Sequence, residues 1–348
     1  MKKSSLLFYI RFLPVLLRIR LLSLRSRLPP LPGGILDEQI ALMRRGMELL
    51  GEKPVDQLTP EQNRVHFQDS FRTLKRIGGR FEKVHSDQPV GVPGPARIIA
   101  CRLYLPGTEP GLPLFVYFHG GGFVIGGLDT ADNIARFICK RAGCAVLSVD
   151  YRLAPEHRFP AAVEDAYAAA VWAVEHAAEL GCSPRRVLVG GDSAGGTLSA
   201  VVAQLAHQPG GPRLAGQVLF YAATDGAALD TPSYREFGEQ ALGLPTRDME
   251  WFLDQYTPDR RERLDPRASP LRGRDLRGLA PALVVTAEFD VLRDEGEAYA
   301  RRLQEAGVPT TLMRCNGMIH GFLSATGLIQ RATRYFDQIV AEIRRMAA

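Results

Sequence analysis

Ser193 stands in Gly191-Asp192-Ser193-Ala194-Gly195, one residue after the apolar run Val187-Leu188-Val189 and directly before a helix-forming stretch. Glycine two residues to either side of a serine fits a tight strand-to-helix turn, where bulkier neighbours would clash. Such a turn lifts the hydroxyl clear of a sheet and aims the first helical N–H groups at a reacting carbonyl. The chemistry it suits is nucleophilic attack on an acyl group with a covalent intermediate.

A serine hydroxyl needs a base to take its proton. Of seven histidines, His320 lies in Asn316-Gly317-Met318-Ile319-His320-Gly321-Phe322, a loop just past a late strand. His176 and His207 fall on helices, His66 and His85 in a polar helical region, and His157 in a proline-flanked loop. His320 is therefore the candidate base. Its orienting acid should follow a strand lying between Ser193 and His320. Val284-Val285-Thr286-Ala287-Glu288-Phe289-Asp290 ends with Asp290 at the strand mouth. Asp294 is a rival but reads as the N-cap or first turn of the next helix. Glu288 is a second rival, closer to the strand end.

A third element is His119-Gly120-Gly121-Gly122-Phe123, after the apolar run Leu114–Phe118. Its glycines leave backbone N–H groups free to approach a ligand oxygen. With the N–H of Ala194 they can hold a tetrahedral oxyanion. His119 and Gly120 read as residues that shape this loop. No Gly-Lys-Ser/Thr follows, which excludes a phosphate-binding P-loop.

The elements that must position these residues alternate. Strands are expected at Arg97–Leu105, Leu114–Phe118, Ala145–Asp150, Arg186–Gly190, Gln217–Tyr221, Ala282–Ala287 and Thr310–Cys315. Helices are expected at Ala131–Arg141, Ala161–Glu179, Ala194–His207, Glu295–Ala306 and Ile329–Met346. Repeated βα units imply an α/β protein with a mostly parallel central sheet flanked by helices. In such sheets ligands sit beyond the carboxyl ends of the strands, where the candidate residues fall. Residues 36–88 read as helical and polar, with Asp37 as N-cap of Glu38–Leu50. Residues 226–262 break the alternation and carry a helix near Arg247–Tyr256. Together these form a helical cap, giving a cap part at 35–88 and a catalytic domain at 89–348 with a cap insertion near 226–262.

The formal net charge is +5, but residues 1–36 hold seven of the 43 Lys and Arg and no acid. The rest has 36 Lys and Arg against 38 Asp and Glu, so nucleic acid is not an expected partner. Cys101, Cys139, Cys144, Cys182 and Cys315 show no CxxC spacing, which argues against a zinc site or a disulfide framework and for a reducing, cytoplasmic setting. Residues 1–34 form a basic apolar segment. Arg11, Arg18 and Arg20 interrupt it, so it is too short to span a bilayer. Two readings stay open for 1–28: a helix packed on the catalytic domain, or an anchor in a membrane interface.

From residue 36 onward the chain resembles the hormone-sensitive-lipase-like (family IV) bacterial esterases. The resemblance rests on HGGGF at 119–123, on DYRLAPEH at 150–157 with FPAA behind it, and on GDSAGG at 191–196. FDVLRDEG at 289–296 and HGF at 320–322 complete it. It implies the α/β-hydrolase fold, an oxyanion hole made by the N–H groups of Gly121, Gly122 and Ala194, and a supporting role for Tyr151–Glu156. It also implies hydrolysis of short- to medium-chain carboxylic esters with no metal or organic cofactor. Departures are Ala222-Ala223-Thr224-Asp225 where proline commonly follows the tyrosine, Glu288 in place of a common glycine, and Cys315-Asn316 in place of Tyr-Pro. The alternatives are a membrane-peripheral lipase and a non-catalytic binding protein on the same fold. Oligomeric state is open between monomer and homodimer.

Overall fold

The computed structural model describes residues 34–49, 53–76, 82–240 and 242–348, so the segment 1–28 lies outside the described residues. Helix α1 (Glu38–Leu49) is capped by Asp37, whose Oδ1 accepts from the N–H groups of Gln39 and Ile40 at 3.0 and 3.3 Å. Helix α2 (Pro60–Arg76) opens with a reciprocal cap. Gln62 N donates to Thr59 Oγ1 while Thr59 N donates to Gln62 Oε1.

The sheet then begins with β1 (Ser86–Pro93), β2 (Ile98–Leu105) and β3 (Leu112–Phe118). After β3 come α3 (Leu128–Ile138), β4 (Ala145–Val149), α4 (Ala161–Glu175), β5 (Cys182–Asp192) and α5 (Ala194–Ala206). Strand β6 (Gly216–Phe220) leads to two further helices, α6 (Pro232–Phe237) and α7 (Thr246–Tyr256). The chain closes with β7 (Ala282–Phe289), α8 (Arg293–Glu305), β8 (Thr310–Ile319) and α9 (Gln330–Met346).

The eight strands lie in the order β1-β2-β4-β3-β5-β6-β7-β8. Strands β3 to β8 run parallel, and β2 is antiparallel to both of its neighbours. Alternate side chains of β3 serve opposite cores. Phe115 and Tyr117 pack with α3 and α9, while Leu114, Val116 and Phe118 pack with α4 and α5. Burial on both faces explains why these strands are apolar runs and not alternating ones.

Several elements differ from the expected bounds. Strand β1 occupies residues read as the end of a helical region or as linker. It carries Pro89, Gly91 and Pro93, which suppress strand propensity but are tolerated on a sheet edge. Helix α3 starts at Leu128 instead of Ala131, and α4 stops at Glu175 instead of Glu179, where Cys182 N turns back onto Ala177 O. Helix α8 starts two residues early, at Arg293. Strand β5 is longer at both ends, and β8 continues through Asn316–Ile319.

Candidate active site

Ser193 sits between β5 and α5 with φ 53° and ψ −120°. A non-glycine residue held there stores on the order of 1–3 kcal/mol of strain, which the surroundings must impose. The close approach of β3 imposes it. A Cβ on Gly191 would lie 2.3 Å from Phe118 O, and one on Gly195 only 1.9 Å from the same atom. Both positions therefore need glycine. Ser193 N donates to Phe220 O at 2.9 Å, tying the turn to β6 as well.

The turn brings Ser193 to His320, with His320 Nε2 3.0 Å from Ser193 Oγ. His320 Nδ1 lies 2.8 Å from Asp290 Oδ2. A carboxylate only accepts, so Nδ1 carries the proton and the Nε2 lone pair faces the serine. Asp290 is 2% exposed, and its other oxygen accepts from Leu292 N at 3.0 Å. The rivals are engaged elsewhere. Asp294 lies in the first turn of α8 and accepts from Ser233 N and Arg293 Nε, both at 2.8 Å. Glu288 accepts from Gly317 N at 2.6 Å.

The glycine loop curls tightly at Gly121, whose carbonyl accepts from the N–H groups of both Val124 and Ile125 at 3.0 Å. Gly121 and Gly122 have φ of 118° and 58°. His119 shapes the loop from behind: its ring stacks 4.3 Å from that of Tyr151, and Nδ1 donates to Gly120 O at 2.8 Å. Burial pushes this imidazole below its ordinary pKa, which keeps it neutral. Tyr151 hydroxyl donates to His119 O at 2.7 Å, and buried Arg152 pairs with buried Asp165, so the segment after β4 braces the loop. Arg64 of α2 adds a further brace. Its guanidinium donates to Val124 O, to Ala154 O and to both carboxylate oxygens of Glu156.

Sequence reasoning missed three supporting residues. Asp192, beside Ser193, accepts at Oδ1 from Gly120 N (2.9 Å) and from the Tyr117 hydroxyl, so one carboxylate ties the glycine loop to the serine turn. Burial raises its pKa in spite of these donors. Tyr221 has φ 37° and presents its ring edge-on to the His320 imidazole at 5.0 Å. Glu295, fully buried in α8, accepts from Thr224 N and Asp225 N at 2.6 and 3.2 Å, and burial lifts its pKa well above the usual carboxyl range. All three occur inside or beside quoted motifs, but their partners are distant in sequence.

A pocket opens beside Ser193. Gly122, Ala194 and Ala223 line its floor, and Met249, Phe252 and Leu253 of α7 cover it. Phe252 lies so close to Gly122 that a Cβ there would meet its ring at 2.3 Å. The walls are largely apolar and suit a short hydrocarbon chain.

Residues 115–324 match a family model described as the alpha/beta hydrolase fold. The chain is 44% identical over 320 residues to the carboxylic ester hydrolase LipN of Mycobacterium tuberculosis, covering 90% of this chain and 83% of the relative. It is 42% identical over 250 residues to an ethyl acetate hydrolase of Pseudomonas putida, covering 70% and 77%. Among solved structures, a hyperthermophilic esterase from Pyrobaculum calidifontis superposes with a TM-score of 0.83 at 38% identity. That match covers 92% of this chain and 99% of the other. EstE1, a thermostable carboxylesterase cloned from a metagenomic library, gives a TM-score of 0.81 at 41% identity, covering 84% and 98%.

Proposed function

The chain belongs to the hormone-sensitive-lipase-like (family IV) carboxylic ester hydrolases of the α/β-hydrolase fold, and we propose that it works through Ser193, His320 and Asp290. His320 Nε2 takes the hydroxyl proton as Ser193 Oγ attacks the ester carbonyl carbon, and the carbonyl π electrons move to oxygen. The N–H groups of Gly121, Gly122 and Ala194 hold that oxyanion. Collapse re-forms the carbonyl and expels the alcohol, which takes the proton from His320. Water then attacks the acyl-enzyme by the same route and releases the acid. Asp290 holds the imidazole in the required tautomer and stabilises its protonated form.

The observation that carries this reading is the unbroken hydrogen-bond run from Asp290 through His320 to Ser193 at 2.8 and 3.0 Å. A non-catalytic binding protein would have no use for a strained serine aligned on an imidazole. Helices α1, α2, α6 and α7 act as the cap, and Met249, Phe252 and Leu253 limit the acyl chain to short or medium length. No helix among the described residues is long and apolar enough to cross a membrane. For the segment 1–28 the two readings are a helix packed on the catalytic domain and an anchor at a membrane interface, the second supported by its seven basic residues before Asp37. Co-sedimentation of the full chain with anionic vesicles, and its loss in a chain beginning at Ile35, tests that anchor.

Hydrolysis of p-nitrophenyl acetate, butyrate, octanoate and palmitate by wild type and Ser193→Ala tests the main reading. The expected result is turnover that peaks at acetate or butyrate and falls by about 10⁴- to 10⁶-fold in the variant. Full turnover in Ser193→Ala would refute it.

A further inference from the structure

Strands β7 and β8 pair in regular register up to Ala287 opposite Cys315, and the next pair is Phe289 opposite Ile319. One residue of β7, Glu288, therefore faces three of β8: Asn316, Gly317 and Met318. A bulge of this kind interrupts the ladder and leaves backbone groups needing other partners. Here each polar group of Gly317 finds one. Its N–H donates to Glu288 Oε2 at 2.6 Å, and its carbonyl accepts from Asp37 N at 3.0 Å.

The fit around this peptide is tight. Gly317 has φ 80°, and a Cβ on it would lie 2.5 Å from Arg331 Nη1. The strap at 34–37 is itself anchored. Asp37 pairs with Arg331 at 3.4 Å, and Gln39 Oε1 accepts from Gln330 N at 2.9 Å. Gly34 runs against the Glu288 carboxylate, where a Cβ would come within 2.2 Å of Oε1. Asp290 follows Glu288 by two residues, and His320 follows Gly317 by three. The strand ends that carry the acid and the base are thus joined by one side chain.

We propose that Glu288, backed by the strap at 34–37, is a positioning residue that clamps Gly317 and so sets His320 against Asp290. Rigid peptide geometry carries the effect: releasing Gly317 lets the His320 loop shift, and a displacement near 1 Å can cost about 100-fold in rate. The inference rests on Asp290 and His320 being the acid and base of the reaction.

The test compares Glu288→Ala, Glu288→Gln and Arg331→Ala with wild type on p-nitrophenyl butyrate, with kcat normalised to active sites counted by burst titration so that misfolded protein does not count. Glu288→Ala is expected to lose roughly 10- to 100-fold in kcat with KM within about twofold, because Glu288 does not line the pocket. Glu288→Gln, whose amide oxygen can still accept from Gly317 N, should stay within about fivefold of wild type. Arg331→Ala, which loosens the strap and the packing beside Gly317 but keeps the Glu288 hydrogen bond, should lose about two- to fivefold. The low-field proton resonance of His320 Nδ1–H should move or broaden in Glu288→Ala and persist in Glu288→Gln. Wild-type kcat and an unmoved resonance in Glu288→Ala would overturn the clamp, and so would equal losses in the alanine and glutamine variants. Undiminished turnover in Asp290→Asn would instead overturn the underlying triad, whatever Glu288 does.

Discussion

Two regions meet at the pocket and are built differently. The strand-end frame that carries Ser193, Asp290 and His320 is held by backbone. Glycines at 191 and 195 admit β3, Ser193 N reaches Phe220 O, and buried carboxylates at 192 and 295 receive backbone N–H groups. Helix α7 on the other side is held mostly by side chains, beside one backbone tie from Phe159 N to Tyr256 O at 3.1 Å. Phe123 stacks on Tyr256 at 4.0 Å, Arg263 reaches Asp254 at 2.6 Å, and Asp248 Oδ1 pairs loosely with Arg247 Nε at 3.6 Å. Backbone-held groups cannot drift by much, which suits atoms that must meet a transition state. Side-chain-held cover can be repacked at modest cost, which suits the choice of acyl chain. Substitutions in the frame should therefore cost rate, and substitutions in the cover should change substrate range or stability.

The largest effect expected is that of Asp290→Asn, about 10⁴-fold in kcat with little change in KM, measured on p-nitrophenyl butyrate. Asp294→Asn is the matched control and should stay within about tenfold, since its carboxylate faces Ser233 and Arg293. Equal losses would break the distinction between frame positions. Next comes Asp192→Leu, which leaves Gly120 N and the Tyr117 hydroxyl without their acceptor. A loosened oxyanion loop should cost on the order of 100-fold in kcat. Wild-type rates in a folded Asp192→Leu would show that the glycine loop holds itself.

Cover substitutions should behave otherwise. Leu253→Ala opens the pocket wall, so the octanoate-to-acetate ratio of kcat/KM should rise about tenfold while acetate turnover stays within about threefold. An unchanged ratio with a lower rate on every ester would place Leu253 with the frame.

The smallest effect concerns Asp248, whose pKa burial raises from 3.8 to about 6. The folded protein keeps this proton where the unfolded chain releases it, so stability falls as pH rises from about 4 through 6 and stays lower above. Asp248 retains some solvent contact, so the loss should be about 1–2 kcal/mol. Asp248→Asn should recover that much at pH 8 and nothing at pH 4, as read by urea unfolding. A stabilisation independent of pH would point to packing instead of charge.

The same division decides how much could be read from sequence. Ser193, His320 and Asp290 were legible because each follows an apolar run at the sheet's carboxyl edge, and the structure brings the three together. The parallel sheet was legible for the same reason, as was the cap at Asp37. Strand β1 was not, because Pro89, Gly91 and Pro93 hide an edge strand that takes its partner only from β2. Nor were the ties from Asp192 to Gly120, from Glu295 to Thr224, or from Glu288 to Gly317. Each joins residues 29 to 72 positions apart, a separation no local pattern records. A cap helix near Arg247–Tyr256 was legible from the break in the βα alternation, but which of its side chains, Met249, Phe252 and Leu253, line the pocket was not.

The central claim is that Ser193 carries the acyl group, and trapping it is the most direct test. Wild-type protein mixed with p-nitrophenyl butyrate, acid-quenched in the burst phase and digested, should show a butyryl adduct on the peptide containing Ser193, and Ser193→Ala should show none. Rapid turnover with an adduct on another residue, or with the adduct still formed in Ser193→Ala, would contradict the account.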